Sequence, residues 1–152
     1  MAYVKYYRIP REDGTKVEAP IYGTPGSACM DLFAANLEDI VIKQKEVAFI
    51  PSGLKVEIEP GYCMKLQNRS SMGAKNQVQL AHCTGIIDCD YRGEIMIPLY
   101  NRGNRAFIVH PGMRVCQAEI TEVVPVDLEE VEDESGLSTT ERGDGKFGST
   151  GA

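Results

Sequence analysis

A Pro-Gly pair separates two alternating segments in the stretch Leu54-Lys-Val-Glu-Ile-Glu-Pro-Gly-Tyr-Cys-Met-Lys-Leu66. Apolar side chains occupy every second position on both sides of this pair, namely Leu54, Val56, Ile58, Tyr62, Met64 and Leu66. Polar or charged residues fill most of the places between them. A period of two is typical of β-strands that bury one face, so the stretch predicts two strands joined by a tight turn.

Comparable alternation recurs along the chain, and turn-forming Pro and Gly residues separate the segments. It covers residues 40–50, 94–100, 106–109 and 115–124. So many short strands favour an all-β jelly roll, built as a sandwich or barrel, over a βαβ protein. One short helix is predicted over about 70–78, since Met72 and Ala74 are good helix formers. The pair Ser70-Ser71 is expected to cap its start.

Composition and charge restrict the classes of function. The chain has 152 residues, of which 43% are hydrophobic and 25% charged, and a formal net charge of −6. A net negative charge argues against general binding of nucleic acid or of anionic membranes. Five cysteines without zinc-ligand spacing indicate reduced thiols. The amino terminus lacks the pattern of a signal or transit peptide and no apolar run could span a bilayer, so a cytoplasmic location is expected, or a host intracellular one for a viral protein.

The composition changes near the carboxyl terminus, and three units are predicted: a β domain over 1–126, a connector over 127–141 and a glycine-rich arm over 142–152. The connector holds seven acidic residues and no Lys or Arg, as expected for a solvated segment. The arm combines four glycines with Arg142, Phe147 and the pair Ser149-Thr150. Such tails often have no specific role. Alternatively, the glycines expose backbone N–H groups to phosphate, Arg142 adds a bidentate donor, and Phe147 offers a flat face for a base.

A second candidate for anion binding is Arg69-Ser-Ser-Met-Gly73, where a cation and two hydroxyls precede the predicted helix. Helix amino termini present free N–H groups that suit phosphate. An N-cap next to a surface arginine explains the same residues without a ligand.

A third candidate is Gly85-Ile-Ile-Asp-Cys-Asp-Tyr-Arg-Gly-Glu94, which holds two carboxylates two residues apart. On a strand, Asp88 and Asp90 would share a face, and like charges placed together mark a metal site or a base. In a turn, they would be ordinary solvated acids. The segment alone leaves both interpretations open.

Taken together, five ordered segments resemble the motifs of the trimeric dUTPase family over nearly the whole chain. They are Pro25-Gly-Ser-Ala-Cys-Met-Asp-Leu-Phe-Ala34, Arg69 to Gly73, Gly85 to Glu94, Arg114-Val-Cys-Gln117, and Arg142 to Gly151. The resemblance implies a jelly-roll homotrimer that hydrolyses dUTP to dUMP and pyrophosphate by attack of water on the α-phosphorus. It implies active sites assembled from several subunits and closed by the flexible arm of one of them. Such an enzyme limits uracil incorporation into DNA and supplies dUMP for thymidylate synthesis.

The resemblance also assigns roles to residues. Asp88 is expected to be the catalytic base, and Tyr91 to lie against the deoxyribose and exclude a 2′-hydroxyl. The uracil is expected in a hairpin with contacts from His82, Gly85, Ile86, Ile87 and Met96. The triphosphate is expected to meet Arg69, Ser70, Ser71, Gln117, Arg142, Gly148, Ser149 and Thr150, with Phe147 stacked on the base.

Magnesium is the cofactor that the resemblance implies, held mainly by the substrate phosphates and water and without a direct protein ligand. Asp31 is a candidate partner for the water molecules of that ion. No nucleic acid or membrane partner is expected.

The chain departs from the family pattern in three places: Lys146 replaces a glycine, Cys29-Met30 replaces Gly-Tyr, and Cys116 replaces an alanine. Two alternatives accompany the main hypothesis. A dCTP deaminase or bifunctional relative would share the fold but need groups that attack the 4-amino carbon. A non-catalytic regulatory protein would keep the fold without turnover.

Overall fold

The computed structural model describes residues 2–145, and within them the chain forms twelve short strands. In chain order they are β1 Val4–Arg8, β2 Ile21–Tyr22, β3 Met30–Phe33, β4 Ile40–Ile42, β5 Val47–Pro51, β6 Leu54–Ile58, β7 Tyr62–Gln67, β8 Val78–Leu80, β9 Gly85–Ile87, β10 Met96–Asn101, β11 Phe107–Val109 and β12 Arg114–Glu122. This architecture confirms the predicted all-β jelly roll.

Every strand pair is antiparallel. The largest sheet has the order β2-β3-β12-β7-β9, and a second sheet has the order β5-β10-β8. Two further pairs, β1-β6 and β11-β4, extend the layers. The core between the layers consists of fully buried side chains such as Leu32, Ile50, Leu66, Ile97 and Leu99. Burial of one face by each layer is what stabilises such a sandwich.

The alternating segments around Pro60-Gly61 form β6 and β7 as predicted. In β6, Leu54, Val56 and Ile58 are buried while the intervening side chains are exposed. In β7, Met64 and Leu66 are buried. The period of two therefore identified the face of each strand that meets the core.

The segment 40–50, where the alternation predicts β-structure, forms two strands. Lys45 has a left-handed backbone with φ of 62°, and the turn around it ends β4 and begins β5. The two strands then pair in different sheets, β4 with β11 and β5 with β10. The alternation is interrupted here by four consecutive polar residues, Lys43 to Glu46, and these form the turn between the two strands.

The predicted helix is a single π-helical turn over Met72–Asn76. The expected cap is wrong, because Ser71 is itself helical and its side chain makes no capping hydrogen bond. Gln77 ends the turn in a left-handed conformation with φ of 56°, and β8 begins at Val78. Burial of Met72 against the core anchors the turn.

Beyond β12 the chain carries exposed apolar side chains and then the acidic connector, whose residues 127–141 are exposed apart from Val131. The connector contains one short helical turn over Glu134–Gly136. The Ser135 N–H in this turn donates a hydrogen bond to the Asp133 side chain. The division into three units remains a prediction. Within residues 2–145, no helix is long and apolar enough to cross a membrane.

Candidate active site

A cavity of about 230 Å³ lies beside β9 and the start of β10. It gathers five residues that the sequence analysis selected, Ile86, Ile87, Asp88, Tyr91 and Met96. Glu94 and Ile95 complete the lining. The cavity thus combines apolar walls with carboxylates and a phenol, a combination that can hold a flat base and a sugar and place a carboxylate beside them.

The hairpin leading into β9 is a tight turn. Cys83 has a left-handed backbone with φ of 64°, and the Thr84 N–H donates to the His82 carbonyl at 2.7 Å. Gly85 is buried, and a Cβ there would stand 2.8 Å from the His82 ring. The His82 ring therefore packs against the backbone of Gly85, and neither residue is among those that line the cavity formed by the described residues. Their predicted contacts with uracil remain predictions.

Asp88 follows the last residue of β9, and the chain then turns. The Tyr91 N–H donates to the Asp88 carbonyl at 3.1 Å, and the exposed side chains of Asp88 and Asp90 line different cavities. Of the two interpretations that the sequence left open, the turn applies, because β9 ends at Ile87 and the two carboxylates do not share a strand face. Asp88 alone of the two faces the cavity that Tyr91 lines.

The Tyr91 ring crosses the backbone of Gly93. A methyl group at Gly93 would overlap the Tyr91 hydroxyl, so glycine is the residue that allows this approach. The hydroxyl donates to the Glu94 carbonyl at 3.0 Å. The hydrogen bond of the hydroxyl and the close approach to Gly93 therefore both restrain the position of the ring.

A second cluster forms around the buried carboxylate of Asp31 on β3. Its Oδ1 lies 3.3 Å from Arg69 Nε and accepts from Gln117 Nε2 at 3.1 Å, while its Oδ2 accepts from Arg114 Nη1 at 3.1 Å. Arg69 Nη1 also donates to the Arg114 carbonyl at 3.1 Å. The structure thus joins the predicted residues Asp31, Arg69 and Gln117, and it adds Arg114 as a member that the sequence analysis did not select.

A β-bulge explains why Arg114 and Gln117 reach the same carboxylate. Residues three apart on a regular strand face opposite sides of the sheet. The register of β12 against β3 shifts between Arg114 and Cys116, which inserts one extra residue and returns Gln117 to the side of Arg114. Cys116 at this bulge is fully buried, and burial raises the pKa of its thiol to about 12.

Ser70 and Ser71 are exposed and follow Arg69 directly. The helical turn after them spans five residues, so few peptide dipoles align there. The anion binding predicted for this segment would therefore depend on Arg69 and the two hydroxyls. In the arm, the Arg142 side chain donates to the Gly145 carbonyl at 3.3 Å. Lys146, Phe147, Gly148, Ser149 and Thr150 lie outside the described residues, so the functions expected of them remain predictions.

The described residues do not provide a protein cage for a metal ion. Within 2–145, no group of three or more His, Cys, Asp or Glu side chains is placed to hold one. Both oxygens of Asp31 already accept from nitrogen donors. A magnesium ion would therefore fit here only with oxygen ligands supplied largely by a phosphorylated substrate and by water.

The fold and these two clusters define an all-β jelly-roll protein with an apolar, carboxylate-bearing pocket and a separate cationic cluster. The family model described as dUTPase matches residues 15–151. The chain is 40% identical over 139 residues to deoxyuridine 5'-triphosphate nucleotidohydrolase of Tolumonas auensis, covering 91% of this chain and 90% of the relative. It is 37% identical over 149 residues to the protein of that name from Alcanivorax borkumensis, covering 97% of both. The chain belongs to the dUTPase family.

Solved structures agree on the fold. A dUTPase from Streptococcus mutans has a TM-score of 0.70 at 25% identity and covers 80% of this chain and 98% of its own. The dUTPase of Staphylococcus bacteriophage 80alpha with dUPNHPP has a TM-score of 0.83 at 22% identity and covers 99% of both chains. A dUTPase of phage phi11 of Staphylococcus aureus, with a TM-score of 0.74 at 21% identity, coordinates a structural Mg(II) ion.

Proposed function

We propose that this chain hydrolyses dUTP to dUMP and pyrophosphate with Asp88 as the base that activates water. The observation that carries the proposal is the shared cavity of Asp88 and Tyr91, in a chain whose curated relatives are dUTP nucleotidohydrolases. A carboxylate beside a sugar-sized pocket can accept a proton from water. An aromatic ring in that pocket can exclude a sugar that carries a 2′-hydroxyl. The two residues together account for both turnover and selectivity.

In the proposed reaction, Asp88 takes a proton from water as the water oxygen forms a bond to the α-phosphorus. The bond from the α-phosphorus to the bridging oxygen breaks, and pyrophosphate leaves. Positioned base catalysis contributes roughly 100- to 10,000-fold, and the remaining acceleration comes from holding the triphosphate in line. A magnesium ion bound together with the substrate would neutralise part of the negative charge of the phosphates.

The Asp31 cluster is suited to hold the phosphates. Asp31 fixes the guanidinium planes of Arg69 and Arg114 and the amide of Gln117, so their remaining donors are oriented before an anion arrives. Preorganised donors stabilise charge without reorganising during the reaction. A contact from Asp31 to a water ligand of magnesium belongs to the same proposal, and so do the contacts of Ser70, Ser71 and the arm.

Assembly as a homotrimer is part of the proposal. Ile87 of the pocket pairs with Met64 on β7, whereas Gln117 of the cluster pairs with Gln67 on the same strand. The two residues are therefore two strands apart and three residues along the sheet, which is about 14 Å at the usual spacings. The cavity of about 230 Å³ is also smaller than the roughly 300–1,000 Å³ of typical ligand sites. Both facts favour a site in which the pocket of one subunit faces the cluster of another.

Two exposed apolar surfaces support association. On the outer face of β5 and β10, Phe49 is 65% exposed, Val47 47% and Met96 39%. After β12, Val124, Val126 and Leu128 are 75%, 72% and 93% exposed. Contiguous apolar patches mark contacts between proteins. Because the five cysteines are free, we also retain a cytoplasmic location in the proposal.

Release of pyrophosphate from dUTP, dCTP, dTTP and UTP, measured in parallel with magnesium present, tests the proposed reaction. Release from dUTP far above the other three is expected. Ammonia release from dCTP would favour the deaminase alternative. A folded protein that binds dUTP but releases no pyrophosphate would favour the non-catalytic alternative.

A further inference from the structure

Glu94 connects the Tyr91 ring to the interior of the protein. Its side-chain Oε1 accepts from the Gly53 N–H at 2.8 Å, and its carbonyl accepts from the Tyr91 hydroxyl at 3.0 Å. The same peptide group donates through the Ile95 N–H to the Leu54 carbonyl at 2.9 Å. The acceptor of the Tyr91 hydroxyl is therefore tied to a neighbouring turn by two hydrogen bonds, one from the side chain and one from the backbone.

That turn, at residues 52–54, is rigid. Ser52 and Gly53 are buried, and Gly53 has a left-handed backbone with φ of 65°. A Cβ at Gly53 would stand 2.9 Å from the Ala35 Cβ and 3.0 Å from Val17 Cγ1, so glycine fits and larger residues do not. The Ser52 hydroxyl accepts from the Leu54 N–H at 3.2 Å. A buried turn fixed in this way offers little freedom to a group bonded to it.

We propose that Glu94 is a positioning residue that fixes Tyr91 against the sugar and thereby sets the discrimination between dUTP and UTP. The inference rests on the proposed function and deepens it. Tyr91 is 43% exposed, so packing alone does not hold the ring, and its hydroxyl bond to the Glu94 carbonyl supplies the missing restraint. A ring that can tilt leaves space for a 2′-hydroxyl.

The test compares kcat/KM for dUTP and for UTP in five variants. Glu94→Ala removes the acceptor of the Gly53 N–H, and Tyr91→Phe removes the hydroxyl bonded to the Glu94 carbonyl. Each is expected to lower the preference for dUTP by about three- to tenfold, mainly by raising UTP turnover, since one hydrogen bond is lost. The double variant is expected to match the single variants, because both act on one restraint.

Glu94→Gln keeps an acceptor oxygen and is expected to retain the preference within about twofold of the unaltered protein. Glu57→Ala is the matched control, since Glu57 is an exposed carboxylate that pairs with Lys5 and lies outside the Asp88 cavity. It is expected to leave the preference unchanged.

The outcomes separate the inference from the proposed function. Absence of dUTP hydrolysis in the unaltered protein would overturn the proposed function itself. If the unaltered protein prefers dUTP but Glu94→Ala and Tyr91→Phe keep that preference, the positioning role is wrong while the function stands. Equal losses on both substrates would assign Glu94 a purely structural role and also overturn the inference. If Glu94→Ala does not fold, Glu94→Asp, whose shorter side chain does not reach the Gly53 N–H, takes its place in the same comparison.

Discussion

At the scale of single residues, the proposed mechanism depends on which of two carboxylates, Asp88 or Asp90, lines the pocket on β9. Asp88 lines the cavity with Tyr91, while Asp90 two positions later lines another cavity with Tyr3 and Arg92. The turn that begins after β9 separates them. A carboxylate that is exposed in the pocket can exchange a proton with water there, whereas Asp31 is buried and already bonded to three side chains.

Asp88→Asn is therefore expected to reduce kcat for dUTP by roughly 100- to 10,000-fold, because the amide cannot accept the proton of the attacking water. Binding of a non-hydrolysable dUTP analogue, measured by calorimetry, is expected to change little. Asp90→Asn is the matched control and is expected to keep most of the activity. Near-normal turnover by Asp88→Asn would remove Asp88 from the mechanism.

Residue types and their order predicted much of the candidate site, but not the geometry that joins its parts. The motifs selected Asp31, Arg69 and Gln117, which the structure brings together. Arg114 was missed as a partner of Asp31, because strand alternation places it on the opposite side from Gln117 unless β12 contains a bulge. Glu94 was missed because its acceptor role depends on Gly53, which is 41 residues away in the chain.

At the scale of elements, the Asp31 cluster links β3, β12 and the residue before the helical turn. The Asp31 side chain is 7% exposed, whereas those of Arg69 and Arg114 are 24% and 46% exposed. Solvent around the two arginines weakens each ion pair, but the buried carboxylate still depends on its donors. The cluster is therefore expected to contribute to stability as well as to the proposed binding of phosphate.

Asp31→Asn is expected to lower the free energy of unfolding by about 1–2 kcal/mol, since bonds from charged donors to a buried carboxylate are weakened. The KM for dUTP is expected to rise, because Arg69 and Arg114 lose their orientation. Denaturant unfolding and steady-state kinetics measure the two effects. Asp39→Asn is the control, since its carboxylate pairs with His110 at the surface. Equal behaviour of the two variants would show that the cluster has no special role.

Elements were predictable from sequence where one face of a strand is buried over several residues, as in β6 and β7. They were not predictable where turn geometry intervenes. Lys45 and Gln77 adopt left-handed conformations that neither residue type favours, and these turns shorten the predicted strand and helix. The polar run Lys43 to Glu46 marks the first turn, but the residue types at 45 and 77 do not indicate a left-handed backbone.

At the scale of the whole molecule, the two halves of the proposed site lie on one sheet, and about 14 Å separates Ile87 of the pocket from Gln117 of the cluster. A nucleotide that places its base in the pocket of one subunit is expected to place its phosphates on the cluster of another. Closed symmetry repeats this contact at each interface of a trimer. The exposed side chains of Val47, Phe49 and Met96 offer the apolar area for such contacts.

The most direct measurement is therefore the activity of mixed trimers made from two inactive variants, Asp88→Asn and Arg69→Ala. Each chain lacks one half of the site, so each variant alone is expected to be nearly inactive. Random mixing at equal amounts is expected to restore about a quarter of the sites, those that combine an intact pocket with an intact cluster. Recovery of dUTP hydrolysis near that level supports the account. Mixed trimers, isolated by two different tags, that remain inactive would contradict it.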